Sequence, residues 1–360
     1  QFTNNSWVQM GDDIDGEARA DWAGFDVDLS HNGEIVAVGA ILNDDGARSA
    51  GHVRVFNSSA GVWEQMGEDV DGEERSKRFG RSLALSADGT VLATSGTDYA
   101  LVHKYNGTAW NALGQEINHW YTGSRTTISL SSDGSVLAVG EAGLRQVRVF
   151  NYNGTGWNQI GGDINGGDLF GIAVSLSSDA TILGVGATGM VQVFKYEGMS
   201  WTPLGSPLYG KNTLGDEHFG PALEISGDGN RIVVGADKHC ATDLGRMGLY
   251  EYDGNHSWVQ MGEDIYGEVQ NDQSGYSVAL SGDGQILASG ARYSDYNGLN
   301  SGHVRVYESI NATVKTALTP TPVDNGYTLE QLGQDIDGES QDDESGRSTA
   351  LSKKWTNLGR

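Results

Sequence analysis

Short apolar runs alternate with polar residues along most of this chain, and glycine-centred turns separate the runs. FDVDLS (Phe25–Ser30), RSLALS (Arg81–Ser86) and YSVALS (Tyr276–Ser281) alternate with a period of two. IVAVGA (Ile35–Ala40), VLAVG (Val136–Gly140) and IVVGA (Ile232–Ala236) are almost wholly apolar. HVRVF (His52–Phe56), QVRVF (Gln146–Phe150) and HVRVY (His303–Tyr307) alternate again. Period-two alternation predicts half-buried strands, and the Asp-Gly and Asn-Gly pairs between them predict tight hairpins. No stretch carries a 3.6-residue period.

A fourth segment completes the unit. WVQMGDDIDGE (Trp7–Glu17) returns as WEQMGEDVDGE (Trp63–Glu73), WVQMGEDIYGE (Trp258–Glu268) and LEQLGQDIDGE (Leu329–Glu339), with weaker copies from Trp110, Trp157 and Trp201. Four short strands recurring at this spacing predict an all-β fold, a β-propeller built as one domain over residues 1–360. Its units start near Trp7, Trp63, Trp110, Trp157, Trp201, Trp258 and Leu329, with an insertion at about 312–327. We label the strands A, B, C and D, with D the Trp segment. Seven A segments, starting near Phe25, Arg81, Thr126, Ile172, Pro221, Tyr276 and Arg347, predict seven blades of four antiparallel strands. The strand at Trp7 precedes any A segment and is expected to close the last blade. That blade is incomplete, because Ser352 is followed by Lys353-Lys354 and then by Trp355-Thr-Asn-Leu-Gly359, a second D signature.

These repeats resemble the FG-GAP type, which also builds the propeller heads of integrin α-chains. Phe-Gly pairs stand at Phe79-Gly80, Phe170-Gly171 and Phe219-Gly220, and Gly-Ala pairs end the B strands at Gly39, Gly186, Gly235 and Gly290. The likeness is nearest to the Trp-containing version of secreted and cell-surface proteins of marine microbes and algae. It implies a secreted, extracellular or cell-surface location. Two features depart from the pattern. The proline of GAP is replaced by Ile41, Thr188, Asp237 and Arg292, and a short Ser-x-Asp-Gly turn stands where integrin-type repeats carry a calcium loop.

Composition then assigns chemistry to faces. Glycine accounts for 53 of 360 residues, about twice its usual ~7% share; the excess is the turn set of the repeat. A net charge of −25 argues against nucleic-acid partners. No run is long and apolar enough to predict membrane insertion. Beginning at Gln1, the sequence reads as a processed chain or a fragment. The sequons at Asn4, Asn57, Asn106, Asn153, Asn255 and Asn311 all fall in the C–D position and predict N-glycosylation of that face. The opposite face collects carboxylates. Asp13, Asp15, Glu17, Asp69, Asp71, Glu73, Asp335, Asp337 and Glu339 offer the oxygen ligands that Ca²⁺ takes, the one cofactor these loops suggest. Trp22, Trp120 and Tyr121 break the repeat on this face and are candidate ligand contacts.

No nucleophile-elbow, zinc-protease, Cys-x-x-Cys or P-loop spacing occurs. His52 and His303 share one repeat position, read as strand surface and matched to Gln146 and Gln192; His239 and Cys240 adjoin in one loop. The expectation is a non-enzymatic extracellular module for adhesion, recognition or assembly. Its partner would be an extracellular protein or glycan, and the incomplete blade offers a route to self-assembly. A carbohydrate-binding lectin and a filament subunit are alternatives. So is a glycan-active hydrolase or lyase using the inward carboxylates Asp26, Asp28 and Glu224.

Overall fold

The computed structural model describes residues 1–59, 61–118, 125–211, 218–238, 243–311 and 326–354. Trp120, Tyr121, His239–Cys240, most of the 312–327 insertion and the Trp355–Gly359 segment lie outside the described residues.

The period-two runs form antiparallel sheets ordered A-B-C-D by consecutive hairpins. In blade 1 these strands are Ala23–Leu29, Ile35–Ala40, His52–Ser59 and Val62–Gln65. The A strands of blades 2 to 6 are Ser82–Leu85, Thr126–Leu130, Ala173–Leu176, Phe219–Ile225 and Ser277–Leu280. The register puts Gly39 opposite Val53 and Ala40 opposite His52, and the same pattern recurs with Gly140 opposite Val147 and Gly290 opposite Val304.

The all-β propeller is as expected, but it has six blades, not seven. The seventh A segment around Ser348–Leu351 lies on the inner ring without forming a strand, and the N-terminal hairpin Phe2–Thr3 with Ser6–Trp7 occupies the outer edge. No sheet joins them, because the B and C strands that would bridge inner and outer positions are missing from the sequence between Ser352 and Trp355. A sheet cannot skip its two middle strands, since each strand's backbone groups are satisfied only by its neighbours.

Blades pack through the repeat's signature residues. The Trp indoles donate to a backbone carbonyl of the preceding D segment: Trp63 to Met10 at 2.7 Å, Trp110 to Met66 at 2.7 Å, Trp157 to Leu113 at 2.7 Å and Trp258 to Leu204 at 3.0 Å. Trp7 donates to Leu332 at 2.8 Å, so the N-terminus is docked on blade 6. The paired glycines have an equally direct cause. A Cβ on Gly39 would lie 2.2 Å from the Gly80 carbonyl oxygen of the next blade, and one on Gly186 would lie 2.0 Å from that of Gly220. Only glycine permits this backbone approach.

The break in the repeat is visible by the same test. Gly24 stands where Gly80 and Gly220 stand in their blades, yet a Cβ there would meet nothing within 4 Å. The absent B strand leaves a groove of about 820 Å³ beside blade 1, lined by Val8, Ile14, Val27, Leu29, Val36 and Val38 among others. The apolar clusters of the described residues run between successive blades from 1 to 6 and on to Trp7 and Leu351; none joins that last position to blade 1. Leu137 and Val36 are equivalent B-strand positions, the first fully buried and the second open to the groove. Leu137→Ala should cost about 2–5 kcal/mol in urea unfolding. Val36→Ala should cost less than about 1 kcal/mol, as a surface change does.

Candidate functional site: the central channel

Inward positions of the A strands line a channel along the axis. At its A–B-turn end the Ser-x-Asp-Gly turns are locked internally. The Ser86 hydroxyl donates to Asp88 at 2.6 Å while accepting from Val91 N at 2.9 Å, and Thr90 N donates to Asp88 at 3.0 Å. Partial burial opposes the Asp88 charge, but the bonds from Ser86 and Thr90 prevail and hold it below the usual carboxylate range. These aspartates therefore serve the turn.

Deeper in, side chains of one A strand accept N–H groups of the next. Asp26 accepts from Leu83 at 2.8 Å, Asp28 from Leu85 at 2.7 Å, Ser129 from Leu176 at 2.9 Å and Glu224 from Leu280 at 2.8 Å. Ser348, from the seventh segment, donates to Asp26 at 2.6 Å and accepts from Val27 N at 3.2 Å. Lys353 reaches into the same cavity and pairs with Glu224. Burial raises Asp26 to about 6, against the bonds from Ser348 and Leu83. Burial also raises Asp28 to about 7, against its backbone bonds and the Lys353 charge.

A carboxyl whose folded pKa is raised contributes stability at acid pH that is lost as pH climbs through the folded value. For Asp28 the window is pH 4 to 7. Asp28→Asn removes that contribution. The stability difference between variant and wild type in urea should therefore move in the variant's favour between pH 4 and pH 8, and a pH-independent difference would refute it.

The opposite mouth is wide, about 870 Å³, and its lining is cationic: Arg78, Arg81, Arg125, Arg292, Arg347 and Lys238 surround it, with Asp26 at its base. In a chain of net charge −25 this is a local reversal of sign. Arg81 is held below its usual range by desolvation and by the neighbouring Arg125 and Arg78 charges. The arginines lean on aromatic faces: Arg347 lies 4.6 Å from the Phe25 ring centroid and 5.4 Å from that of Trp22, and Arg292 lies 3.8 Å from that of Tyr276. Glu344 neutralises part of the cluster through Arg347 and Arg292. Among the described residues no ion pair engages Arg78 or Arg81. At the rim, His218 stands 3.5 Å from Asp237, whose acidity burial weakens.

Of the residues singled out from sequence, Trp22 lines this mouth, 52% exposed. Asp13, Asp69 and Asp335 each accept the amide of the glutamine four residues before, from Gln9 at 2.7 Å, Gln65 at 2.6 Å and Gln331 at 2.7 Å. The carbonyl of Asp15 accepts from Arg54. Glu17, Asp69 and Asp71 converge on His52, and Asp335 and Asp337 on His303; Glu73 and Glu339 join neither group. Both histidines are buried rather than on the strand surface, and the register matches His52 to Gln146 and Met190, not to Gln192. Of the six sequon asparagines, Asn106, Asn153 and Asn255 sit in C–D turns, Asn57 and Asn311 near the ends of C strands, and Asn4 in the turn of the N-terminal hairpin. The Asn106 and Asn153 carboxamides accept from Thr108 and Thr155 hydroxyls at 2.9 and 2.8 Å, which is local turn chemistry. The arginine cluster was not foreseen. Its sequence signal was the basic residue at the head of two A segments, Arg81 and Arg347.

No family model and no curated protein matches the chain. Solved structures do match. Hydrazine synthase of Kuenenia stuttgartiensis superposes with a TM-score of 0.60 at 13% identity, covering 97% of this chain and 94% of that one. A periplasmic gluconolactonase of Pseudomonas aeruginosa gives 0.59 at 16%, covering 86% of each. A putative 6-phosphogluconolactonase of Bacteroides fragilis gives 0.59 at 15%, covering 86% and 83%. At these identities the likeness establishes the β-propeller fold. It also corrects the expectation of a non-enzymatic adhesion, recognition or assembly module: propellers of this architecture include enzymes, and the repeat pattern on which that expectation rested does not separate them from passive scaffolds.

Proposed function

We propose that the chain is an enzyme-type propeller acting on a small sugar-acid lactone that carries an anionic group such as a phosphate. The observation carrying this reading is the arginine-lined mouth over a carboxyl poised near pH 6, in a protein otherwise acidic. Arginine forks hold carboxylate or phosphate oxygens bidentately, and the burial of Arg81 strengthens that attraction. Asp26 as carboxylate takes a proton from water, whose oxygen bonds to the lactone carbonyl carbon. Arg81 and Arg125 face the oxyanion that forms. Collapse breaks the ring C–O bond, and the proton on Asp26 passes to the departing alkoxide, leaving the open hydroxy acid.

Glucono-1,5-lactone and its 6-phosphate are the probes, followed by acid release. The phosphorylated lactone should be preferred, with kcat/KM rising with pH through about 6 as Asp26 ionises. Asp26→Asn should lower kcat about a hundredfold while keeping the acceptor for Leu83 N. Arg81→Ala should chiefly raise KM. Hydrolysis of neither lactone above the spontaneous rate, together with no saturable binding of 6-phosphogluconate, would sink this reading.

An exported location goes with the same proposal. It is supported by the sequons clustering away from the mouth and by the periplasmic neighbour. Peptide mass spectrometry of native material, with and without glycosidase, should find glycans on several of the six asparagines. Six unmodified asparagines would refute the glycosylation. Membership of the FG-GAP type is likewise proposed, supported by the glycine approach between Gly39 and Gly80.

A further inference from the structure

The repeat places a histidine at the first residue of strand C in blades 1 and 6, and the two are surrounded differently. His52 is 1% exposed, and its Nδ1 is buried without a hydrogen-bond partner. That nitrogen points at Asp69 Oδ2, 3.6 Å away, and Glu17 Oε2, 3.7 Å away. With Asp45 from the B–C loop, these residues each present one ligand atom, all within 4.8 Å of one another. Separations of 3.6–3.7 Å are too long for hydrogen bonds. They suit neighbouring ligands of one ion held at about 2.0–2.2 Å from each, whose tetrahedral edges run to about 3.4 Å. Asp71 adds a further carboxylate 4.0 Å from the same nitrogen, and is held above its ordinary range by burial and by Asp69.

Blade 6 is the internal control. There Arg305 lies 2.7 Å from Asp335 and 2.6 Å from Glu268, so a guanidinium already supplies the positive charge beside His303. The equivalent Arg54 turns instead to the Asp15 carbonyl and stays 3.9 Å from the far oxygen of Glu17, leaving Asp69 Oδ2 facing His52. Three carboxylates and a buried imidazole nitrogen without a hydrogen-bond partner select a borderline divalent cation over one that takes oxygen alone. Glu17 and Asp45 are exposed, which provides an entry path.

We propose that Glu17, Asp45, His52 and Asp69 form a binding site for one first-row divalent transition-metal ion at the junction of blade 1 with the N-terminal segment. Zn²⁺ titrated calorimetrically into chelator-treated full-length chain is the test, with Ca²⁺ as comparator. One saturable Zn²⁺ site, bound more tightly than Ca²⁺, is expected. His52→Ala and Asp69→Asn should each weaken it at least tenfold, while His303→Ala leaves it unchanged. Because His52 is buried, the melting temperature of each variant is measured with and without Zn²⁺; a folded Asp69→Asn variant that lost the Zn²⁺-induced rise would support the site even if His52→Ala failed to fold. Absence of saturable Zn²⁺ binding, equal affinity in a folded Asp69→Asn variant, or tighter binding of Ca²⁺ would overturn it.

Discussion

A closed circle of backbone hydrogen bonds around the axis is the constraint on which the rest of the molecule depends. His31 N donates to Ala87 O at 2.9 Å, Ala87 N to Ser132 O at 2.8 Å, Ser132 N to Ser178 O at 3.1 Å and Ser178 N to Gly227 O at 2.9 Å. Gly227 N donates to Gly282 O at 2.8 Å and Gly282 N to Lys353 O at 3.1 Å, and Lys354 N returns to His31 O at 2.8 Å. Six blades supply one link each, and the seventh segment supplies the last. These bonds ask nothing of the side chains, which is why His, Ala, Ser, Gly and Lys all occupy the circle. They fix the spacing of the inner strands, on which the side-chain acceptors Asp26, Ser129, Glu224 and Ser348 then build a second, deeper tier.

Closing one end decides where chemistry can occur. The ring and Lys353 narrow the A–B end to a cavity of about 180 Å³, against about 870 Å³ at the arginine mouth. Packing like charges together costs free energy, and the cluster offsets part of it by stacking on Phe25, Trp22 and Tyr276 and by pairing with Glu344. Arg78 and Arg81 are left without a carboxylate partner among the described residues, and an incoming anion would relieve that repulsion. Asp26 belongs to the second tier, tied to Leu83 and Ser348, and also faces the mouth. Its raised pKa follows from the same burial that makes it useful as a ring acceptor.

Much of this fold was legible in the residues. The four-strand unit, its turns and the Trp interlock follow from local pattern, because each strand pairs with its sequence neighbour. Seven A segments were read as seven blades, and the seventh takes an inner position without forming a strand. The blade count failed because a blade needs its middle strands, and the seventh position has none. The arginine mouth was not legible, since Arg78, Arg125 and Arg292 fall at different repeat positions and meet only through closure of the ring. A summed charge of −25 concealed them: acidic loops dominate the sequence, while the lining of this one mouth is cationic. The Gln–Asp pairing four residues apart is a turn device repeated around the propeller; in Gln65 and Asp69 it occupies Oδ1 and leaves Oδ2 facing His52.

Where the repeat breaks, residues escape the packing role that the repeat imposes. In a regular blade junction, glycine meets glycine and an indole meets a carbonyl, leaving little room for other chemistry. Between the N-terminal segment and blade 1 those demands lapse: Gly24 faces open space and the B-strand face of Val36 is uncovered. The loop entering blade 1 is therefore free to send Trp22 to the arginine mouth and Glu17 to His52. An acidic residue in that loop of a regular junction, such as Glu268, is instead taken up by a neighbouring guanidinium. The defect in the seventh position and the departures from repeat chemistry thus share one cause, the loss of two strands that would otherwise have fixed every residue around them.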